Sequence, residues 1–278
     1  MTHPRPATSS PLRALPRPFH RVLVIAAHPD DAEFAFGGTV ARLAADGTDV
    51  RYVVCTDGSL GSDDPEISGS DLGARRAAEQ RAAADLLGVS DVVFLGLPDG
   101  TLQPTAPLRK ALCRQVRIHK PDLVLTHQPL RSLQFPIGAS HPDHLAVGEA
   151  AVCAVYPDAR NPRAFPELLE QEALDAHSVA EVWVPGHEQA NFFVALSQDH
   201  ADLKLAAILC HESQFERSRS PVDDISWVAE RMRHYGPQAD SVWAEGFCRI
   251  PCGTYAAPKE PQVAPGTQAL IPPRLDRT

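Results

Sequence analysis

The feature that most constrains the fold is a continuous apolar run near the N-terminus, RVLVIAA at residues 21–27. Such an uninterrupted run is typical of a strand that is buried on both faces of a parallel sheet. Residues 39–45 then have helical spacing, and Gly47 is placed to end that helix. The chain is therefore predicted to begin with a β-α unit.

The same alternation of strand and helix signals continues along the chain. Further strands are predicted at residues 50–55, 92–95, 122–126, 181–184 and 191–196. Further helices are predicted at residues 71–87, 108–119, 143–156, 199–210 and 223–235. Regular alternation favours a Rossmann-like α/β fold, which is a mostly parallel sheet with helices on both faces. The order of the later strands in the sheet does not follow from the sequence.

The distribution of proline sets the expected limits of the domain. The 278 residues fit a single α/β domain. Five prolines lie before residue 20 and six lie after residue 250. We therefore expect poorly ordered arms at residues 1–19 and 251–278 around one domain at 20–250.

Charge and composition exclude several classes of partner. The chain has 35 acidic and 26 basic residues, a net charge of −9 with histidine neutral. Nucleic acids and anionic membranes require basic surfaces, so neither is expected as a partner. The apolar runs are too short to span a bilayer. Six scattered cysteines without a CxxC pair, and an N-terminus without a secretory apolar stretch, predict a cytoplasmic protein with reduced thiols.

Two polar motifs lie where open α/β sheets bind their ligands, after the carboxyl ends of strands. The first, HPDDAE at residues 28–33, stands where a dinucleotide-binding protein would have a glycine-rich turn. The second, HPDH at residues 141–144, opens a predicted helix, on which residues three apart face the same way. Imidazoles and carboxylates in these positions favour a bound cation over a phosphate.

Zinc is a cation that fits these side chains. It binds histidine nitrogen and carboxylate oxygen, and catalytic zinc sites use three protein ligands and keep a fourth position open. His28, one aspartate of the first motif and one histidine of the second would supply such a set. The remaining carboxylate and histidine could then act as acid and base. Either motif alone could also be a proline turn whose aspartate caps a helix, but two motifs after strands favour a site.

The combination of AHPDD at residues 27–31, Glu33 and the later HPDH resembles the PIG-L/LmbE-like zinc-dependent N-deacetylases. The resemblance extends from about residue 21 to residue 214. Its supporting positions are Thr56, Gly58, Arg76, Glu79, Leu87, Gly88, Val89, Asp99, Lys204, His211, Glu212, Ser213 and Gln214. It implies a zinc-dependent hydrolase that removes an N-acyl group, typically acetyl, from an amino sugar or a metabolite that contains one.

The resemblance also implies roles for individual residues. It makes His28, Asp31 and His144 the metal ligands, Asp30 the general base and His141 the residue that stabilises the oxyanion, as an imidazolium. The implied cofactor is Zn²⁺, although a site with two histidines and one aspartate would also accept Fe²⁺, Co²⁺ or Ni²⁺. Ser59, where a glutamate is common, and Ala139, where some sugar deacetylases have a tyrosine, depart from the family pattern and leave the sugar open.

Further polar residues are candidates for contact with the substrate: Arg76, Asp99, His127, Lys204 and His211. Arg76 lies in ARRAAEQR, a pattern that is more typical of a solvated helix face with local ion pairs. Asp99 also fits a turn, and His127 also fits a capped loop after its strand. His211 lies seven residues after Lys204, on the same predicted face, and is expected to line the pocket.

Two alternatives remain at the level of the sequence. An amidase of thiol conjugates, or a deacetylase that tailors a secondary metabolite, would use the same metal chemistry. A non-catalytic Rossmann-like protein that binds a metal or a sugar belongs to a different class. It is less favoured, because a binding protein has no need of Asp30 and His141 beside three ligands. The expected partner is a small N-acylated molecule, and the sequence is compatible with a homo-oligomer.

Overall fold

The architecture is seen in a computed structural model, which describes residues 12–132, 137–215 and 218–253. Within these residues the strands are β1 (Arg21–Ala26), β2 (Asp49–Thr56), β3 (Asp91–Leu97), β4 (Leu123–Thr126), β5 (Glu181–Pro185), β6 (Phe192–Leu196) and β7 (Trp243–Pro251). They form one sheet in the order β3-β2-β1-β4-β5-β7-β6. Strands β1 to β5 pair in parallel, and β7 runs antiparallel between β5 and β6.

Helices cover both faces of this sheet. They are α1 (Asp31–Ala45), α2 (Gly69–Leu86), α3 (Ala106–His119), α4 (Pro142–Cys153), α5 (Pro166–Glu170), α6 (Gln198–Leu209), α7 (Pro221–Asp224) and α8 (Ser226–Tyr235). Strand β1 is buried on both sides: Val22 and Val24 join the core under α1, α6 and α8, while Leu23 and Ile25 join the core under α3 and α4. The predicted Rossmann-like α/β fold is confirmed. None of the helices in the described part is long and apolar enough to cross a membrane.

Two predicted elements differ from the structure near the site. The first helix begins at Asp31 instead of residue 39, so the first motif itself opens α1. Asp30 takes a left-handed backbone conformation (φ 109°), which turns the chain directly from β1 into the helix. Strand β7 was not predicted, because Glu245 and Gly246 interrupt its apolar pattern. Strand β7 depends on a tertiary contact, since Glu245 is buried against the backbone of α1.

Residues just outside the predicted domain boundaries at 20 and 250 contact the sheet. Phe19 is buried, and its ring meets that of Trp183 edge-on at 5.4 Å. At the other end, β7 continues to Pro251 and the backbone N–H of Cys252 donates to the carbonyl of Ala180. The remaining parts of the two predicted arms, residues 1–11 and 254–278, lie outside the described residues.

The topology places the two motifs at one edge of the sheet. The chain passes from β1 to β2 on one side, whereas β4 pairs with the other side of β1. This reversal opens a crevice outside the carboxyl ends of β1 and β4, the usual ligand position in open α/β sheets. The first motif follows β1 into this crevice, and the second lies at the start of α4.

The close approach of α4 to the loop after β4 gives a test of this arrangement. A Cβ atom at Gly148 would lie 2.6 Å from the carbonyl oxygen of His127, which is backbone and cannot rotate away. We expect Gly148→Ala to lower the free energy of unfolding by about 1–3 kcal/mol, measured by urea denaturation. Glu149→Ala, on the exposed side of the same helix, is the control and should change it by less than about 0.5 kcal/mol. Equal stability of the two variants would contradict the close packing.

Candidate metal centre

Three side chains from the two motifs bring their donor atoms together in the crevice. Nδ1 of His28 lies 3.2 Å from Nε2 of His144 and 3.3 Å from Oδ2 of Asp31. Oδ1 of Asp31 lies 3.0 Å from the same nitrogen of His144. The structure therefore joins the three residues that the sequence singled out as ligands.

The chemistry and spacing of these donors fit a divalent ion. Ligand atoms at 2.0–2.1 Å from a tetrahedral zinc lie about 3.3 Å apart, close to the distances between these three side chains. Nearby carboxylates add negative charge to the site, because Asp99 and Asp143 both lie within 3.3 Å of His28 Nε2. A cation between the donors would relieve the repulsion among these acids.

The second ring nitrogen of His28, Nε2, contacts two carboxylates. Nε2 lies 3.0 Å from Oδ1 of Asp99 and 3.3 Å from Oδ2 of Asp143. Asp143 is fully buried and also accepts the backbone N–H groups of Gly100 and Leu102. A proton on Nε2 leaves the lone pair on Nδ1, facing Asp31 and His144. This carboxylate-histidine arrangement is the usual support of a metal ligand.

Burial and the surrounding acids act on the pKa of His28 in opposite directions. Burial lowers the pKa, but hydrogen bonds to Asp31 and Asp99 outweigh it and raise the pKa to about 11. In Asp31, burial raises the pKa, yet the neighbouring His144 and His127 hold it well below its ordinary value. The cluster thus favours an ionised Asp31 and a positive charge beside it. A cation bound there would take the place of the proton on Nδ1 of His28 and leave the proton on Nε2.

Within the described residues, three other groupings of donors also lie close enough to hold an ion. They are His28 with His141 and His144, Asp31 with His127 and His144, and His28 with Asp99 and Asp143. The last group is buried, and the oxygens of Asp143 are already occupied by backbone N–H groups. Asp31 and His144, in contrast, line a cavity of about 800 Å³. A site that includes these two side chains is open to a substrate.

His127 supports His144 rather than offering a free nitrogen. Its Nε2 accepts the backbone N–H of Ala27 at 2.9 Å, so the lone pair of that nitrogen is occupied. Its ring stacks on that of His144, with centroids 4.2 Å apart and planes inclined by 14°. Burial lowers the pKa of His127 to about 4. A neutral His127 therefore fixes the position of the His144 ring from the side of the strand β4.

The side chain of Asp30 contacts different residues from those that the side chain of Asp31 contacts. Its Oδ2 lies 3.1 Å from Nη2 of Arg76, and the same guanidinium donates to the carbonyl oxygens of Pro29 and Gly58. Burial raises the pKa of Asp30 to about 6, although the charge of Arg76 opposes this shift. A carboxyl group with a raised pKa is suited to accept and return a proton near neutral pH.

The interpretation of Arg76 as part of a solvated helix face is therefore wrong. Arg76 is 3% exposed, and it ties α2 to the loops after β1 and β2. The sequence pattern suggested solvent because its alanines and charges are typical of a surface helix. The deciding information is tertiary: two carbonyl groups and a carboxylate converge on one guanidinium.

A second buried chain of contacts holds the backbone at Asp30. The N–H of Asp30 donates to Oε1 of Gln80, and Nε2 of Gln80 donates to Oε1 of Glu33, each at 2.9 Å. The other oxygen of Glu33 lies 3.1 Å from Nε2 of His211. This chain explains how Asp30 is kept in a left-handed conformation, which is unfavourable for a residue with a side chain.

His141 lies at the start of α4, beside the metal-binding groups. Its ring is 4.8 Å from that of His28 and 5.4 Å from that of His144, measured between centroids. Its Nδ1 accepts the backbone N–H of Asp143, so a neutral ring carries its proton on Nε2. Burial and the charges of the two other histidines lower the pKa of His141. The lowered pKa favours the neutral ring, which offers its Nε2–H as a donor, and the role of His141 as an imidazolium stays a prediction.

The residues predicted to contact substrate differ in their position relative to the cavity and to the metal-binding groups. Arg76 and Asp99 contact Asp30 and His28, respectively, as described above. His127 and Lys204 line the cavity, but Lys204 pairs with Glu245 and donates to the carbonyl of Phe34. His211 is fully buried and pairs with Glu33 instead of lining the cavity. Substrate contact by these residues stays a prediction.

Several residues of the site were not assigned a role from the sequence. Asp143 stands inside the second motif, which was the signal that could have identified it. Gln80, Trp227 and Arg231 carried no such signal, because they lie on helices remote in the chain from both motifs. The last two reach the cavity only because α8 packs beside α1.

Comparison with known proteins connects this geometry to a family. The model of the PIG-L family, described as GlcNAc-PI de-N-acetylase, matches residues 23–155. The chain is 32% identical over 234 residues to the diacetylchitobiose deacetylase of Thermococcus kodakarensis, and the match covers 83% of each protein.

Solved structures agree with this result. The N,N'-diacetylchitobiose deacetylase of Pyrococcus horikoshii superposes with a TM-score of 0.75 at 30% identity, over 84% of both chains. The 4-carboxy-2-hydroxymuconate hydratase GalB of Pseudomonas putida superposes with a TM-score of 0.68 at 21% identity, over 86% of this chain and 99% of that one. The likeness to GalB shows the fold alone. The sequence match across most of the chain, together with the convergent motifs, establishes that this protein belongs to the PIG-L family of de-N-acetylases.

Proposed function

We propose that the protein is a zinc-dependent hydrolase that removes the acetyl group from an N-acetylated amino sugar. The observation that carries the proposal is the convergence of His28 Nδ1, Asp31 and His144 Nε2 at 3.0–3.3 Å, with Asp31 and His144 on the wall of a large cavity. Relatives that act on acetylated sugars support the same reaction class. Acetate release from N-acetylglucosamine glycosides by the metal-loaded protein is the direct assay, and no release from any of them would contradict the proposal.

The metal and the compartment are part of the proposal. Two histidine nitrogens and a carboxylate form a ligand set that zinc prefers, although Fe²⁺, Co²⁺ and Ni²⁺ accept the same donors. All six cysteines are free, which supports a location in the reducing cytoplasm. The partner we expect is a small N-acetylated molecule. The same geometry would serve an amidase of thiol conjugates, but the named relatives favour the sugar.

The residues around the metal-binding groups would divide the work of amide hydrolysis. A divalent ion supplies a Lewis acid for the acyl carbonyl and lowers the pKa of water that it binds. Asp30, fixed by Arg76, takes the proton of the attacking water and later returns it to the departing amine. His141 donates its Nε2–H to the acyl oxygen as negative charge develops there. Asp99 and Asp143 keep His28 in the tautomer that leaves Nδ1 free.

The ligand assignment predicts the metal content of two histidine variants. His144→Ala removes one of three protein ligands and should reduce bound metal from about one ion per chain to nearly none. His234→Ala is the matched control, because His234 lines the same cavity and is exposed. Elemental analysis after dialysis measures the difference. If His144→Ala kept as much metal as His234→Ala, the ligand would have to be another residue.

Substitutions of the two adjacent aspartates should have different effects on metal content and on kcat. Asp30→Asn keeps an oxygen that can accept from Arg76 but cannot take a proton, so metal content should stay and kcat should fall by about 10²–10⁴. Asp31→Asn is the comparison and should lose metal, because an amide is a poorer ligand than a carboxylate. Metal analysis and steady-state kinetics on both variants separate the roles. Near-wild-type kcat in metal-loaded Asp30→Asn would assign the base elsewhere.

His141 has both a structural and a chemical contact, and a suitable variant distinguishes them. His141 caps α4 through its Nδ1, so His141→Ala loses stability as well as the Nε2–H donor. Asparagine is also a good N-cap, but its short side chain cannot place a donor where Nε2 lies. We expect His141→Asn to retain its Tm and its metal while kcat falls by about 10²–10³. A kcat close to that of wild type would remove His141 from the reaction.

A further inference from the structure

The cavity has a second wall, formed by α8, β7 and the first turns of α1. These elements contribute, among others, Phe34, Trp227, Arg231 and Glu245. Helix α8 and strand β7 lie outside residues 23–155, the part that matches the family model. Asp31 and His144 line the same cavity, so a substrate held at the metal-binding groups can extend along this second wall.

Arg231 brings to this wall a positive charge that no carboxylate of the described residues contacts directly. Its Nη2 donates to the carbonyl oxygen of Phe34 at 3.2 Å, and no carboxylate lies within ion-pairing distance of it among the described residues. Glu245, the acid on the same wall, is already taken by Lys204 and by the backbone N–H groups of Gly38 and Thr39. The charge of Arg231 is therefore available to a ligand.

The guanidinium of Arg231 is held in a defined position. It lies over the ring of Trp227, with its central carbon 4.8 Å from the centroid, and that ring stacks on Phe34 with centroids 5.9 Å apart. A guanidinium has five N–H donors in a planar fork that fits carboxylate and phosphate groups. The bond to Phe34 uses one of them. Stacking on an aromatic ring leaves the edge of the fork free to bind an anion.

The location of Arg231 fits a group attached to the reacting sugar. Phe34 follows the proposed ligand Asp31 by three residues on α1, a rise of about 4.5 Å along the helix axis. Because Arg231 donates to the carbonyl of Phe34, its guanidinium lies beside the same start of α1 that carries Asp31, and both side chains line the cavity. Burial of an unpaired cation is unfavourable, and a bound anion would offset that cost.

We propose that Arg231 binds an anionic group, a carboxylate or a phosphate, on the substituent of the N-acetylated sugar, and so makes the enzyme selective for anionic substrates. This inference rests on the deacetylase function proposed above. It assigns Arg231 to recognition, while Asp30, His141 and the metal-binding residues carry out the reaction.

A matched pair of substrates tests the selectivity. The carboxymethyl glycoside of N-acetylglucosamine and its carboxamide have nearly the same shape, but only the first is an anion. Wild-type protein should show a kcat/KM about 10- to 100-fold higher for the acid, the range that corresponds to a hydrogen bond to a charged group. N-acetylglucosamine 1-phosphate, assayed in parallel, shows whether phosphate is preferred to carboxylate.

Variants of α8 connect the selectivity to one side chain. Arg231→Gln should reduce the acid-to-amide ratio to about 1, and Arg231→Lys, which keeps the charge without the fork, should give an intermediate ratio. Arg233→Gln is the control: Arg233 is on the same helix, but it is exposed and stacks on Trp243. It should keep the wild-type ratio. Thermal unfolding of each variant checks that α8 is intact.

Binding measurements separate this inference from the deacetylase proposal. Calorimetric titration with the deacetylated acid and amide glycosides needs no turnover. Tighter binding of the acid to wild-type protein than to Arg231→Gln would support the anion site even if no acetate were released from any substrate. A wild-type acid-to-amide ratio near 1, or a ratio unchanged in Arg231→Gln, would overturn the role of Arg231.

Discussion

The imidazole of His28 lies between carboxylates on both of its edges, and the rest of the site depends on this arrangement. Asp99 and Asp143 accept from one nitrogen, which leaves the lone pair of the other facing Asp31 and His144. Three chain segments that are far apart in sequence meet there: the turn after β1, the loop after β3 and the start of α4. So many buried acids around one ring form a stable site when a cation is among them.

The convergence of the two motifs could be predicted from the sequence because two simple rules combine. Strand β1 is apolar on both faces, which indicated a central parallel strand, and ligand-binding residues follow such strands at the carboxyl edge. Both motifs could therefore be placed at one site without knowledge of the strand order. The start of α1 at Asp31 could not be predicted, because Asp30 adopts a left-handed conformation that only the contacts of Gln80 and Arg76 explain.

The residues that line the rest of the cavity could not be predicted from the sequence, for a related reason. Arg76 and Arg231 stand in helices whose patterns are typical of solvent exposure, and only tertiary packing places one beside Asp30 and the other beside Phe34. Strand β7 carries a buried acid, Glu245, whose position is understandable only beside Lys204. The fold itself does not decide the activity either, since GalB, a hydratase, has a similar fold. Activity has to be argued from the side chains in the crevice.

Anomalous diffraction from crystals of the metal-loaded protein, recorded on both sides of the zinc absorption edge, tests the central claim most directly. The account predicts a single strong peak within about 2.0–2.2 Å of His28 Nδ1, Asp31 and His144 Nε2, with Asp99 and Asp143 remaining on the opposite edge of the His28 ring. A peak on that opposite edge, bound by His28 Nε2 and the two buried aspartates, would contradict it.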